Sequence, residues 1–139
     1  MKNTIIRKLF LVGCMMLLPA VLSAQDAFKG KYKNTDFNFI LRFDLTEENI
    51  DVPGLEGLEK CYGYFQGNLN GTWIILKVKK LEENKAVVRV ACDRGNDAED
   101  VELTVTENGL SLTQEDGCIK TIKDNKYVKL PKVIELKRF

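Results

Sequence analysis

Apolar and polar residues alternate with a period of two along most of the chain from Phe28 to Phe139. This alternation is typical of β-strands with one buried face. The clearest case is the stretch 37–45, in which the odd-numbered apolar side chains share one face. Asn38, Arg42 and Asp44 fall on the opposite face. We therefore predict a half-buried strand here, with those three polar side chains exposed.

Short turn motifs divide the chain into strand-length segments. Asn70-Gly71 is predicted to be a hairpin turn that joins residues 61–65 to residues 73–78, and Glu107-Asn108-Gly109 is predicted to form another hairpin. Pro53-Gly54 suits a type II turn, because glycine accepts the positive φ of its second central position. Further turns are expected at Glu83-Asn84, Glu115-Asp116-Gly117, Asp124-Asn125 and Leu130-Pro131.

The resulting pattern gives nine or ten strand candidates and no helix of ten residues or more. We predict an all-β fold, an antiparallel meander of about 8 to 10 strands that closes into a small barrel. A β-sandwich is the alternative, since it also hides the sheet edges. Residues 25–139 should form this single domain.

The amino terminus has the pattern of a secretory signal peptide. A basic start ending at Lys8 precedes an apolar run over residues 9–22, and Ser23-Ala24 supplies small residues for cleavage after Ala24. We expect residues 1–24 to be removed and the protein to be exported, either periplasmic or secreted. The alternative is a lipoprotein anchored through Cys14, because residues 11–14 match a lipobox. No later segment is apolar enough to be expected to span a bilayer.

Two short motifs give the chain a family resemblance. Gly30-Lys31-Tyr32 at the start and Arg138 in the last strand resemble the lipocalin arrangement, with Tyr32 where that family has Trp. The resemblance implies a barrel in which the aromatic residue closes one end under a basic side chain. The leader end Ser23-Ala24-Gln25 and the terminal strand are also similar to small exported proteins of Bacteroidota.

Composition narrows the possible functions. The chain has 21 Lys and Arg, 20 Asp and Glu, and no His. Without its leader the formal charge is −2, which argues against nucleic-acid binding or anionic-membrane binding as the main function. The lack of His removes Ser-His and Cys-His nucleophile pairs. We expect no enzyme activity and no cofactor, with a carboxylate-based glycan-acting enzyme as the remaining enzymatic alternative.

Three cysteines remain after the predicted cleavage, and their spacing fits no metal motif. In a meander, Cys92 and Cys118 belong at the same end of the sheet and Cys61 at the other. Cys92 with Cys118 is therefore the only disulfide that we consider, and the alternative is three reduced thiols that act as small apolar residues. The acidic loop 93–100 departs from the EF-hand template, so no metal site is predicted.

Tyr62, Tyr64 and Trp73 lie on either side of the predicted Asn70-Gly71 hairpin. Aromatic residues with polar tips are favoured at recognition surfaces, so these three are the candidate binding residues. The alternative is that they pack in the core. We expect a non-enzymatic binding module that contacts a protein partner or a small apolar ligand. A structural or interaction subunit of an envelope assembly is the alternative.

Overall fold

A computed structural model describes residues 27–139 and shows an all-β fold. The predicted leader, its cleavage after Ala24 and the Cys14 alternative lie outside the described residues. The strands are β1 (Lys29–Asn34), β2 (Phe39–Asp44), β3 (Gly63–Gly67), β4 (Trp73–Leu81), β5 (Lys85–Cys92), β6 (Ala98–Thr106), β7 (Gly109–Gln114), β8 (Lys120–Lys123), β9 (Lys126–Lys129) and β10 (Val133–Arg138).

Eight of these strands close into an antiparallel barrel in the order β1-β10-β7-β6-β5-β4-β3-β2. The predicted closed barrel is therefore confirmed, and residues 27–139 do not form the alternative β-sandwich. The barrel is consistent with a lipocalin-like architecture. Neighbouring strands in the sequence pair in space until β7, after which β8 and β9 form a separate two-stranded sheet. The chain then returns to the barrel as β10, which pairs with both β7 and β1.

The barrel interior holds the main hydrophobic core. Period-two burial is clearest along β5, where Ala86, Val88 and Val90 are fully buried. Each fully buried side chain of Val size or larger contributes about 1.5–3 kcal/mol to stability. The largest side chains with almost no exposed surface are Trp73, Tyr32, Phe28, Phe43, Phe65, Leu41, Ile75, Leu103, Leu110, Leu112, Ile119 and Leu136.

Strand β2 follows the predicted alternation with one correction. Leu41 and Phe43 are buried and Arg42 is exposed, as predicted. Asp44 is not exposed, however: it keeps only 5% of its surface. Its carboxylate accepts hydrogen bonds from the Thr46 N–H and hydroxyl. The prediction was wrong because the strand ends there, so the side chain serves the following turn.

A second, smaller cluster lies outside the barrel beneath the long β2–β3 connection. It consists of Val52, Cys61, Tyr64 and Ile74. The predicted Pro53-Gly54 turn is present, with Gly54 at φ 84° and the Leu55 N–H bonded to the Val52 oxygen. This connection covers the outer face of β3 and β4, and strand pairing within it is limited to a single bridge to Cys61.

One end of the barrel is closed as the lipocalin resemblance implies. The Arg138 guanidinium lies 5.0 Å from the centre of the Tyr32 ring and donates to the Tyr32 hydroxyl and to the Lys29 oxygen. The Tyr32 hydroxyl in turn donates to the Ala27 oxygen at 2.7 Å. Burial raises the pKa of Tyr32, an effect that the charge of Arg138 opposes. Gly30 leaves the space that Arg138 occupies.

Candidate functional site

The three predicted binding residues do not form one surface. Trp73 lies inside the barrel with no exposed area, and its Nε1–H donates to Asn70 at 2.9 Å. Tyr64 is 3% exposed and belongs to the outer cluster beneath the β2–β3 connection. Tyr62 is half-buried against the interior core. In this structure the aromatic residues therefore serve packing on both sides of the barrel wall.

The predicted hairpin between residues 61–65 and 73–78 is present, since β3 pairs antiparallel with β4, but Asn70-Gly71 does not form a tight turn in it. Pairing between β3 and β4 ends with Phe65 opposite Trp73, so a longer loop joins the two strands. The loop contacts the segment before and along β8: the Asn70 N–H donates to the Lys120 oxygen, and Leu69 forms a bridge with Thr121. Asn-Gly favours a tight turn locally, but here the Asn70 side chain is used by tertiary contacts.

Residues 118–132, which we call the cap, cover the end of the barrel opposite Arg138. Ile119 and Leu130 of the cap are buried in the interior core, at 2% and 6% exposure. They plug the end where β3 finishes and β4 begins. The β8–β9 hairpin is the outer part of this cap.

Four polar side chains, two in the β3–β4 loop and two on barrel strands, form hydrogen bonds to the cap. The Asn68 amide donates to the Thr121 hydroxyl and the Ile122 oxygen. Asn70 accepts from the Lys120 N–H and donates to the Cys118 oxygen. The other two partners are buried: Glu99 accepts from the Cys118 N–H at 2.7 Å, and Gln114 accepts from the Ile119 N–H and donates to the Pro131 oxygen.

The carboxylate of Glu99 is fully buried beside Cys118. One of its oxygens bonds to the Cys118 N–H, and the other, Oε1, has no hydrogen-bond partner. Burial, followed by the hydrogen bond and the charge of the Glu99 side chain, together raise the pKa of the Cys118 thiol to about 11. The raised pKa therefore disfavours the Cys118 thiolate at neutral pH.

The structure has Cys61, Cys92 and Cys118 as free cysteines. Burial raises the pKa of Cys61 and Cys92 as well. The Cys61 thiol donates to the oxygens of Ile50 and Gly63. Asp93, in the acidic loop, accepts from the Thr72 N–H at 2.8 Å and so braces the neighbouring loop. Across residues 27–139, no group of three or more acidic or cysteine side chains is placed to hold a metal ion.

The outer surface of the cap is basic and partly apolar. Lysines recur about every third residue at positions 120, 123, 126, 129 and 132. Tyr127 is 59% exposed and lies opposite Ile122 across the hairpin. Sequence reasoning missed this surface because it considered the net charge of the whole domain. The regular lysine spacing between residues 120 and 132 was the signal that could have found it.

Two of the surface depressions formed by residues 27–139 are large enough for a small ligand. One of about 370 Å³ lies between the β2–β3 connection and β4, lined by Leu58, Ile74, Leu76 and the buried Cys61. Another of about 360 Å³ runs along the outside of β6 and β7 beside Asp100 and Lys132. Both open to solvent.

Comparison with known proteins adds no relative: no family model, curated protein or solved structure matches the chain. None of the described residues belongs to a helix long and apolar enough to cross a membrane.

Proposed function

We propose that this protein is an exported, non-enzymatic β-barrel module, lipocalin-like in architecture, that recognises a binding partner through the outside of its capped end. The packed interior is the observation that supports this proposal. Trp73, Phe43 and Phe65 fill the space that a ligand-carrying barrel would leave open. The turn at Ala27 and Phe28 covers one end and the cap covers the other.

The chemistry of the described residues supports a non-enzymatic role. The chain has no His, and all three described thiols have a raised pKa, which disfavours the thiolate needed for nucleophilic attack. The cap, by contrast, exposes a concentration of cationic and apolar side chains on a rigidly held segment. A partner can bind at this surface through the cationic and apolar side chains that the cap exposes.

A titration with a long-chain fatty acid tests the proposal against the interior-ligand alternative. Trp73 is the only Trp, so its emission reports on the barrel interior. We expect no saturable change in that emission, because buried aromatic and aliphatic side chains occupy the barrel interior. Saturable quenching at one fatty acid per protein would overturn surface recognition in favour of an interior carrier.

Export is tested separately by mass spectrometry of the protein from expressing cells. We propose cleavage after Ala24, so the mature chain should begin at Gln25. A species that begins at a lipid-modified Cys14 would replace the freely exported protein with an anchored lipoprotein, without changing the argument about the barrel surface.

A further inference from the structure

The lysines of the β8–β9 hairpin are opposed in pairs. Lys120 lies opposite Lys129, and Lys123 lies opposite Lys126. Within residues 27–139, none of the ion pairs involves a lysine of this hairpin. Like charges directly opposite each other destabilise a strand pair. An anion placed between them would remove that repulsion, so the hairpin is suited to an anionic partner.

Exposed apolar side chains accompany the lysines on both faces of the hairpin. Ile122 and Tyr127 form one cross-strand pair, with 39% and 59% of their surfaces exposed. Val128, at 41%, points to the other face because neighbouring residues alternate. Thr121, the cross-strand partner of Val128, is buried against the barrel, so this second face is open only towards the turn, at Lys123 and Lys126, and at the exposed part of Val128. A lipid headgroup layer can contact the Ile122–Tyr127 face and this open part of the second face together.

The hairpin is held in shape by its turn and by the barrel. Asp124 and Asn125 have φ of 52° and 62°, the left-handed values that a two-residue type I′ turn requires. Thr121 is buried and donates to the Asn68 oxygen, which fixes one strand to the barrel. Little conformational entropy is therefore lost when the hairpin binds.

Charge is segregated between the cap and the rest of the molecule. Residues 118–132 contain five lysines and a single acid, Asp124, for a formal charge of +4. The other described residues contain 13 basic and 18 acidic side chains, for a formal charge of −5. Near an anionic surface the barrel is repelled and the cap attracted, so the molecule would approach with the hairpin first.

We propose that the β8–β9 hairpin docks the protein on the surface of an anionic lipid bilayer. The lysines would contact lipid phosphates, while Tyr127, Ile122 and Val128 would enter the boundary between headgroups and acyl chains, where aromatic residues are favoured. Asp124 at the turn limits the depth, so the hairpin lies in the interface and does not span it. This inference rests on the proposed function, since it names the partner of the same capped end.

Co-sedimentation of the mature protein with lipid vesicles tests this docking. The probes are vesicles of phosphatidylcholine with about one-third phosphatidylglycerol, and vesicles of phosphatidylcholine alone, at ~50 and ~300 mM salt. We expect binding to the anionic vesicles only, weakened at the higher salt. Lys123→Glu with Lys126→Glu should weaken binding by about tenfold or more, because each lysine near the surface contributes substantially. Tyr127→Ser should weaken it by a smaller factor.

The matched control is Lys31→Glu with Lys77→Glu, which makes the same change in net charge on the barrel wall at two exposed positions. The docking proposal requires this control to bind much better than the hairpin variant. Equal loss in both would overturn it, since net charge alone would then explain binding. Equal binding to both vesicle types, or no binding to the anionic ones at low salt, would also overturn it.

A parallel measurement with heparin and single-stranded DNA separates lipid docking from general polyanion binding. Hairpin-dependent binding to either polymer without vesicle binding would overturn the lipid assignment and leave the surface-recognition function standing. Failure of surface recognition itself is read from the fatty-acid titration, so the two results are distinguishable. Thermal unfolding of each variant confirms that the barrel is folded.

Discussion

Trp73 shows how one side chain joins the barrel interior to the cap. Its ring is fully buried, and its Nε1–H donates to the Asn70 oxygen that also accepts from the Lys120 N–H. The indole therefore fills the core and fixes the loop on which the cap rests. Its role is structural, and its aromatic surface is unavailable to a partner.

Substitution of Trp73 separates these two contributions. Trp73→Ala should lower the free energy of unfolding by about 3–5 kcal/mol through loss of packing. Trp73→Phe should cost about 1–2 kcal/mol, because it keeps most of the ring but removes a hydrogen bond, while Asn70 retains its bond from Lys120. Urea unfolding measures both. The exposed Tyr127→Ala is the control and should stay within about 0.5 kcal/mol of wild type; a small loss for Trp73→Ala would contradict burial.

The contact between Cys118 and Glu99 affects the pKa of the Cys118 thiol, and this effect can be tested. With a thiol pKa of about 11, the thiolate fraction at pH 8 is about a hundredfold below that of an ordinary cysteine. Alkylation by iodoacetamide, followed by mass spectrometry of the Cys118 peptide, should be correspondingly slow and should accelerate as pH rises towards 11.

Glu99→Gln tests the cause of that shift. The substitution removes the negative charge that opposes the thiolate, so the pH midpoint of alkylation should fall towards the ordinary value while burial maintains part of the shift. Glu107→Gln, at an exposed turn on the other end of the barrel, should leave the midpoint unchanged. An unchanged midpoint in Glu99→Gln would contradict the role of the carboxylate.

Among the elements, β1 and β10 depend on a glycine for their closure. Gly30 has φ of 127°, and a Cβ atom there would lie 2.8 Å from the Arg138 Nη1. To avoid that contact the Arg138 guanidinium must shift, and the same guanidinium donates to the Lys29 oxygen and the Tyr32 hydroxyl. Gly30 and Arg138 therefore close this end of the barrel together.

Gly30→Ala should therefore destabilise the protein by about 1 kcal/mol more than Gly95→Ala. Gly95 also has a positive φ, 114°, but a Cβ atom there meets nothing within 4 Å. The comparison isolates the contact with Arg138 from backbone strain, and thermal unfolding measures it. In an Arg138→Ala background the difference between the two substitutions should disappear. Its persistence there would contradict the closure.

The strand pattern was predictable because burial on one face imposes period two directly on the sequence. Strands β2, β5, β6 and β7 follow from it, as does the two-residue turn before Gly109. The cap was not predictable in this way. Asn70, Glu99 and Gln114 bond to backbone 5 to 50 residues away, and no local pattern encodes those partners.

At the scale of the whole molecule, the barrel is closed by its shortest paired stretch. Strands β1 and β10 pair only at Tyr32 with Arg138 and at Lys33 with Lys137, whereas β5 and β6 pair along seven residues. Side chains extend this seam: the Asn34 amide donates to the Glu135 oxygen at 2.9 Å. Asn34 also accepts from the Phe37 N–H at 2.7 Å, which ties the seam to the turn before β2.

The seam should therefore open before the rest of the barrel. We expect backbone amides of β10 to exchange hydrogen faster than those of β5 and β6, because local opening there breaks fewer bonds than global unfolding. Asn34→Ala removes both side-chain bonds and should cost about 1–3 kcal/mol while increasing β10 exchange most. Asn96→Ala, in an exposed loop, is the control and should leave the exchange pattern unchanged. Hydrogen-exchange mass spectrometry decides the matter, since equal acceleration of β5 and β10 in Asn34→Ala would show that the barrel opens as a single unit.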